Sequence, residues 1–182
     1  MFLHIKGGFD NVDHSTLLQR LHTKDMPEYM VKWISNIIFY RQCAIMFPGS
    51  PWVMRGINTG IPQGSPLSPM LFVIYVKPLH GCMGPGRELI SSYVDDIQIM
   101  VSFNSWWMNS KLLEEVFMKV KNMATSLRLE FSTHKRDLIY WWTPRERVAR
   151  SEHAIVVDGA CIQPAPRAVK WLGFHFGNNH GT

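Results

Sequence analysis

Ile90-Ser91-Ser92-Tyr93-Val94 and Ile97-Gln98-Ile99-Met100-Val101-Ser102-Phe103 are two β-prone runs, and between them stand Asp95 and Asp96. The natural reading is a β-hairpin with two carboxylates at its tip. A bare pair of aspartates at a turn is ordinarily a solvated corner. Here the flanking runs are apolar enough to be interior strands. Driving two acids out of the end of buried strands is costly unless a cation is expected there. Hard divalent cations such as Mg²⁺ take oxygen ligands and are commonly shared with substrate phosphates. Two of them about 3.5–4 Å apart can clamp the attacking and leaving oxygens of an in-line displacement, of which nucleotidyl transfer is one.

Upstream, Phe2 to Ile5 reads as a short strand, and Gly7 and Gly8 relax the chain after it. Asp10 or Asp13 is placed to cap a helix over His14 to Leu21. Met30, Trp33, Ile34, Ile37 and Ile38 fall on one helical face behind Pro27, a stripe that core packing explains. Arg41 to Phe47 and Trp52 to Ile57 read as strands around Pro48-Gly49-Ser50-Pro51. The Gly/Pro/Ser-rich stretch from Gly60 to Pro69 leads into an apolar helix from Met70 to about Leu79. Downstream of the acids, Leu113, Val116, Phe117, Val120, Ala124 and Leu127 mark a long amphipathic helix, with Glu114 and Glu115 near its start. Leu138 to Trp142, Ile155 to Val157 and Val169 to Phe176 read as strands, with Asp158-Gly159 a turn signal. The order predicts an α+β fold: an antiparallel sheet with helices packed on one face.

Composition narrows the class. A chain of 182 residues with 46% hydrophobic content is one domain with a real core. Cys43, Cys82 and Cys161 are distant from one another and form no C-x-x-C pair. That argues against a disulfide framework or a cysteine zinc site, and suits a reducing compartment. The longest purely apolar run, Met70 to Val76, is too short to cross a bilayer. No signal peptide is visible, so an intracellular location, nuclear or cytoplasmic, is expected rather than secretion. Residues 1–118 carry nine Lys/Arg and nine Asp/Glu, whereas residues 119–182 carry ten against five, which is the whole net charge of +5. Such a basic third can hold a phosphate backbone, although on charge alone an ordinary solvated surface is the preferred reading.

Three boxes in order carry a resemblance. Tyr93-Val94-Asp95-Asp96 resembles the Y-x-D-D box of reverse transcriptases. Gly60-Ile-Pro-Gln63-Gly64-Ser-Pro-Leu67-Ser68-Pro69 resembles their G-x-x-Q-G-x-x-L-S-P box, and His4-Ile-Lys6-Gly-Gly-Phe9-Asp10-Asn-Val12-Asp-His14 their first palm box. Order and spacing are similar to those of the non-LTR (LINE-type) retrotransposon enzymes over nearly the whole chain. The resemblance implies a polymerase palm at about 1–27 and 65–182, with part of the fingers at about 28–64. It implies an RNA-directed DNA polymerase with an RNA template, a DNA primer, deoxynucleoside triphosphates and two Mg²⁺ (or Mn²⁺) ions held by Asp95 and Asp96. Phe9, Gln63, Gly64 and Tyr93 would lie at the incoming nucleotide, with Phe9 excluding a 2′-hydroxyl. Lys135, in Ser132-Thr-His-Lys135, would sit near the pyrophosphate and protonate it. Trp171, Leu172 and Gly173, near 169–176, would contact the primer.

The same comparison shows a departure. The first box carries an aspartate in the family where this chain has His4, and that aspartate normally completes the metal site. Histidine suits zinc, copper or nickel far better than magnesium. Asp10, which is better placed as a helix cap, does not replace the missing acid. Upstream fingers strands, the thumb and an endonuclease are also absent from the 182 residues, which reads as a truncated or decayed copy. The expectation is therefore a palm fragment with little polymerase activity. The alternatives are a non-catalytic nucleic-acid-binding remnant and a product without function. A hydrolase is disfavoured, because no nucleophile motif accompanies the hairpin.

Overall fold

The computed structural model describes residues 1–84, 86, 88–141, 154–165 and 168–177. Ten strands and four helices are found among them. They fall into two compact units, Met1–Lys6 with Pro78–Thr125 and Glu130–Thr182, and Gly7–Lys77 with Ser126–Leu129.

The first unit is organised by a four-stranded antiparallel sheet. β1 (Phe2–Ile5) runs between β5 (Asp96–Val101) and β6 (Phe131–Asp137), and β4 (Glu88–Tyr93) flanks β5. Phe2, Leu3, Ile5, Ile97 and Ile99 are buried, so the short β1 is held by apolar contact on top of its ladder bonds. A long helix, Trp106–Ser126, buries Leu113, Val116, Phe117, Val120 and Ala124 along one stripe. Its Phe117 ring lies 6.3 Å from that of Phe131 on β6, and the Arg136 guanidinium sits 5.3 Å over Phe117. Two small hairpins complete the unit. β7 (Ile155–Val157) pairs with β8 (Ala160–Ile162), and β9 (Ala168–Trp171) with β10 (Phe174–Gly177). Phe2, Ile139 and Val169 form a core cluster to which Trp171 and Phe176 add their rings.

The second unit holds α1 (His14–His22), α2 (Glu28–Ile38), the hairpin of β2 (Arg41–Ile45) and β3 (Val53–Ile57), and most of α3 (Ser68–His80). Asp13 caps α1, its carboxylate accepting from the Thr16 amide at 2.8 Å. Val31, Ile34 and Ile38 are the buried positions of α2, while Trp33 is half exposed.

The element order matches the expectation, and four boundaries correct it. The strand expected at Leu138 to Trp142 lies earlier. β6 ends at Asp137, Leu138 makes one parallel bridge to Pro164, and Trp142 falls outside the described residues. β6 is a strand because Phe131, Arg136 and Asp137 pair with β1, while Ser132–Lys135 fall where the register shifts and face mainly outward. Val169 to Phe176 is two strands rather than one. Leu172 and Gly173, at φ 52° and 83°, form the two-residue turn between them, and paired positive φ values match the right-handed twist of a tight hairpin. The long helix starts at Trp106, two turns before the expected place, where the Ser105 hydroxyl accepts from the Met108 amide. Glu114 and Glu115 are thus inside it. Finally, Asp10 caps nothing: its carboxylate accepts from Gln63 Nε2 at 2.9 Å.

Candidate metal centre

His4 is cross-strand from Asp96 in the β1–β5 ladder, and the Ile5 amide donates to the Asp95 carbonyl at 2.7 Å. Those backbone bonds fix the three residues at one end of the central strands. Tyr93 pairs with Asp96, so the hairpin loop is Val94 and Asp95 alone. Val94 takes φ 54°. A β-branched residue in the left-handed region is a genuine outlier, costing about 1–3 kcal/mol, and such outliers concentrate at functional sites.

The side chains converge. His4 Nδ1 lies 3.0 Å from Asp96 Oδ1, and His4 Nε2 lies 3.5 Å from Asp95 Oδ2. One ligand atom from each of the three lies within 4.8 Å of the others. The side chains of His4, Asp95 and Asp96 are 24%, 41% and 31% exposed, so the cluster is open to solvent. Beside it, a cavity of about 330 Å³ is lined by His4, Asp96, His134, Lys135, Lys170 and Trp171, among others. Lys135, expected near the site, is therefore on the same cavity as Asp96. Trp171 and Leu172 line it too, with the Trp171 ring held 5.5 Å from Phe2. His134 and Lys170 were not anticipated, and their adjacency to Lys135 and Trp171 was the available signal. Tyr93 is exposed.

Phe9, Gln63 and Gly64 belong to the second unit. There the first and second boxes are laced together by backbone bonds, Gly60 N–H to the Val12 carbonyl and Ile61 N–H to the Phe9 carbonyl, both 2.8 Å. His14 Nε2 and Arg41 Nη2 both reach the Gly60 carbonyl, at 2.7 and 2.6 Å. Phe9 is partly buried, edge-on to Phe72 at 5.3 Å. Gln63 and Gly64 are exposed, and a side chain added at Gly64 would meet nothing within 4 Å.

Among the described residues no helix is long and apolar enough to cross a membrane. The family described as reverse transcriptase (RNA-dependent DNA polymerase) matches residues 1–176. A probable RNA-directed DNA polymerase from transposon BS of Drosophila melanogaster is 26% identical over 57% of this chain and 12% of its own length. A putative 115 kDa protein in the type-1 retrotransposable element R1DM of the same fly is 35% identical over 57% of the chain and 10% of its own length. A retrovirus-related Pol polyprotein from the type-1 retrotransposable element R2 of Popillia japonica is 25% identical over 96% of the chain and 30% of its own length. The chain thus spans a small part of the relatives it matches.

Proposed function

Because the chain belongs to the reverse transcriptase (RNA-dependent DNA polymerase) family, we propose that it is the palm, with part of the fingers, of a non-LTR retrotransposon polymerase whose metal site has lost its Mg²⁺ function at His4. The single observation that carries this reading is the imidazole of His4 facing both acids of the hairpin, 3.0 and 3.5 Å away. Two Mg²⁺ ions bring four positive charges and demand oxygen ligands. The cluster offers two carboxylates and a nitrogen, and Lys135 and Lys170 line the adjoining cavity. The donor set does not fit a Mg²⁺ pair.

Within this reading, Phe9, Gln63, Gly64 and Tyr93 are the nucleotide-facing residues, Lys135 serves the pyrophosphate, and Trp171 to Gly173 meet the primer. RNA template, DNA primer and deoxynucleoside triphosphates are the partners. Primer extension on an RNA template, with Mg²⁺ and separately with Mn²⁺, tests it. Little or no extension is expected from the chain with His4. Activity should return with His4→Asp when the flanking regions carried by the relatives are supplied. Robust Mg²⁺-dependent synthesis with His4 in place overturns the reading.

A second reading, a non-catalytic nucleic-acid-binding remnant, is favoured by one observation. Lys135, Lys170 and His134 share the cavity that opens beside Asp96, a place where a phosphate would meet cations.

A further inference from the structure

We propose that His4, Asp95 and Asp96 form a site for one zinc-class divalent ion, selective against Mg²⁺. The proposal rests on the same three side chains as the reading above, and it stands whether or not the chain ever copies nucleic acid.

Geometry comes first. His4 Nδ1 lies 3.0 Å from Asp96 Oδ1, and His4 Nε2 lies 3.5 Å from Asp95 Oδ2, so the imidazole stands between the two carboxylates. With zinc–nitrogen and zinc–oxygen distances of about 2.0–2.2 Å, two ligands on a tetrahedron stand about 3.3–3.6 Å apart. The His4–Asp95 separation already has that span. One ligand atom from each of His4, Asp95 and Asp96 lies within 4.8 Å of the others, so small side-chain rotations close the set.

Rigidity and space come second. His4 is on the inner strand β1, where it pairs with Asp96 of β5 and falls at the shift of register against β6 between Leu3 and Ile5, so its backbone is anchored from the side that carries both acids and little ordering entropy is lost on binding. The partial exposure of all three side chains leaves room for the ion's remaining water ligands. The charge balance sets the number of ions. Two carboxylates neutralise one divalent ion and leave nothing to balance a second. The donor type sets the ion's identity, because imidazole suits Zn²⁺, Co²⁺ or Ni²⁺ while magnesium holds to oxygen and to its waters.

The 182-residue chain is titrated with Zn²⁺ by calorimetry, in buffer alone and in millimolar Mg²⁺, and with Co²⁺ by visible absorption. The expected result is one ion per chain, undiminished by Mg²⁺, with a cobalt spectrum free of thiolate charge transfer. His4→Asp and Asp95→Asn should each weaken zinc by about 10–100-fold or more, the range produced even by loss of a ligand's supporting partner. His4→Asp should also let Mg²⁺ compete. A melting curve of each variant confirms folding, and His4→Asn serves as a third variant of similar size should either of the others fail to fold. Zinc affinity unchanged by these substitutions, displacement of zinc by Mg²⁺, or absence of zinc binding would each overturn the proposal. Absent or unaltered zinc binding leaves the proposed loss of Mg²⁺-dependent synthesis standing, displacement of zinc by Mg²⁺ counts against both, and primer extension decides the synthesis by itself.

Discussion

Two residues of the second unit show how far single side chains decide local structure. Asp13 accepts from the Ser15 hydroxyl at 2.5 Å, from the Thr16 amide and hydroxyl at 2.8 Å each, and from Arg128 Nη1 at 2.8 Å. The Ser15 bond leads in lowering its carboxyl from 3.8 to about 2, with Thr16 and Arg128 adding to it against the opposing pull of burial. A folded pKa below the unfolded one means stability that is fully present above about pH 4 and lost as pH falls toward 2. Asp13→Ala should therefore cost about 0.5–2 kcal/mol near neutrality. In thermal melts the gap between the two proteins should close across that acid window; a gap independent of pH would remove the carboxylate from the account. Gly60 is the second case. It sits at φ 76°, and a Cβ there would meet the Asp10 carbonyl oxygen at 2.8 Å and Asp10 Cα at 2.9 Å. Both contacts are backbone and cannot swing away. Gly60→Ala should destabilise by more than about 1 kcal/mol, read as a lower midpoint in urea, whereas Gly64→Ala meets no neighbour and carries only the strain of its own φ of 88°. The cap was one of two aspartates legible from the sequence. The choice between Asp10 and Asp13 depended on Gln63, 53 residues downstream of Asp10, which no local pattern reports.

Elements were more readable where a period ran uninterrupted. The apolar stripe of α2 and the two runs around Asp95 and Asp96 gave their elements directly, because burial on one face imposes a period of 3.6 or 2. Leu138 to Trp142 misled for the opposite reason, being apolar but lying past the last ladder bond of β6, while the polar Arg136 and Asp137 just before it pair with β1. Tertiary pairing overrode propensity there. The Leu172-Gly173 turn was masked by apolar neighbours, although a glycine inside a strand pattern is itself a warning. The hairpin of β2 and β3 makes a separate prediction. It is a two-stranded sheet whose side chains are mostly exposed, with Ile45, Met46, Phe47, Trp52 and Met54 all facing solvent. Two strands without a buried face are marginal in water. Amides of Arg41–Ile45 and Val53–Ile57 should exchange at least about tenfold faster than those of Ile97–Ile99 on β5, which has a neighbour on each side. Equal protection in a hydrogen-exchange experiment would mean that another surface covers the hairpin.

At the scale of the molecule the informative quantity is how the basic third spends its charge. Ten Lys/Arg lie in residues 119–182. Among the described residues three of them are engaged within the fold: Lys121 and Arg136 hold Asp158 from two sides, and Arg128 holds Asp13. Burial alone would raise the Asp158 carboxyl, yet those two cations outweigh it and keep the group below the usual range. Lys135 and Lys170, by contrast, line the cavity beside His4 and Asp96. Arg145, Arg147, Arg150 and Arg167 fall outside the described residues. Charge counting on the sequence saw ten equivalent cations, because ion pairing with Asp13 and Asp158 is a property of the folded chain. The distinction has a measurable consequence. If the basic third binds single-stranded nucleic acid, each phosphate neutralised contributes about −0.7 to the slope of log affinity against log salt. Subtracting the three cations engaged among the described residues from ten leaves at most seven, hence a slope no steeper than about −5. Fluorescence anisotropy with a labelled single-stranded RNA, at several salt concentrations in EDTA, reads it directly. Asp95→Asn should leave both affinity and slope unchanged in that chelator, since a binding remnant needs no metal. A slope nearer −7 would require Lys121, Arg128 and Arg136 to leave their carboxylates for the phosphate backbone. Binding that vanished in EDTA or with Asp95→Asn would return the weight to a metal-dependent site at the hairpin tip.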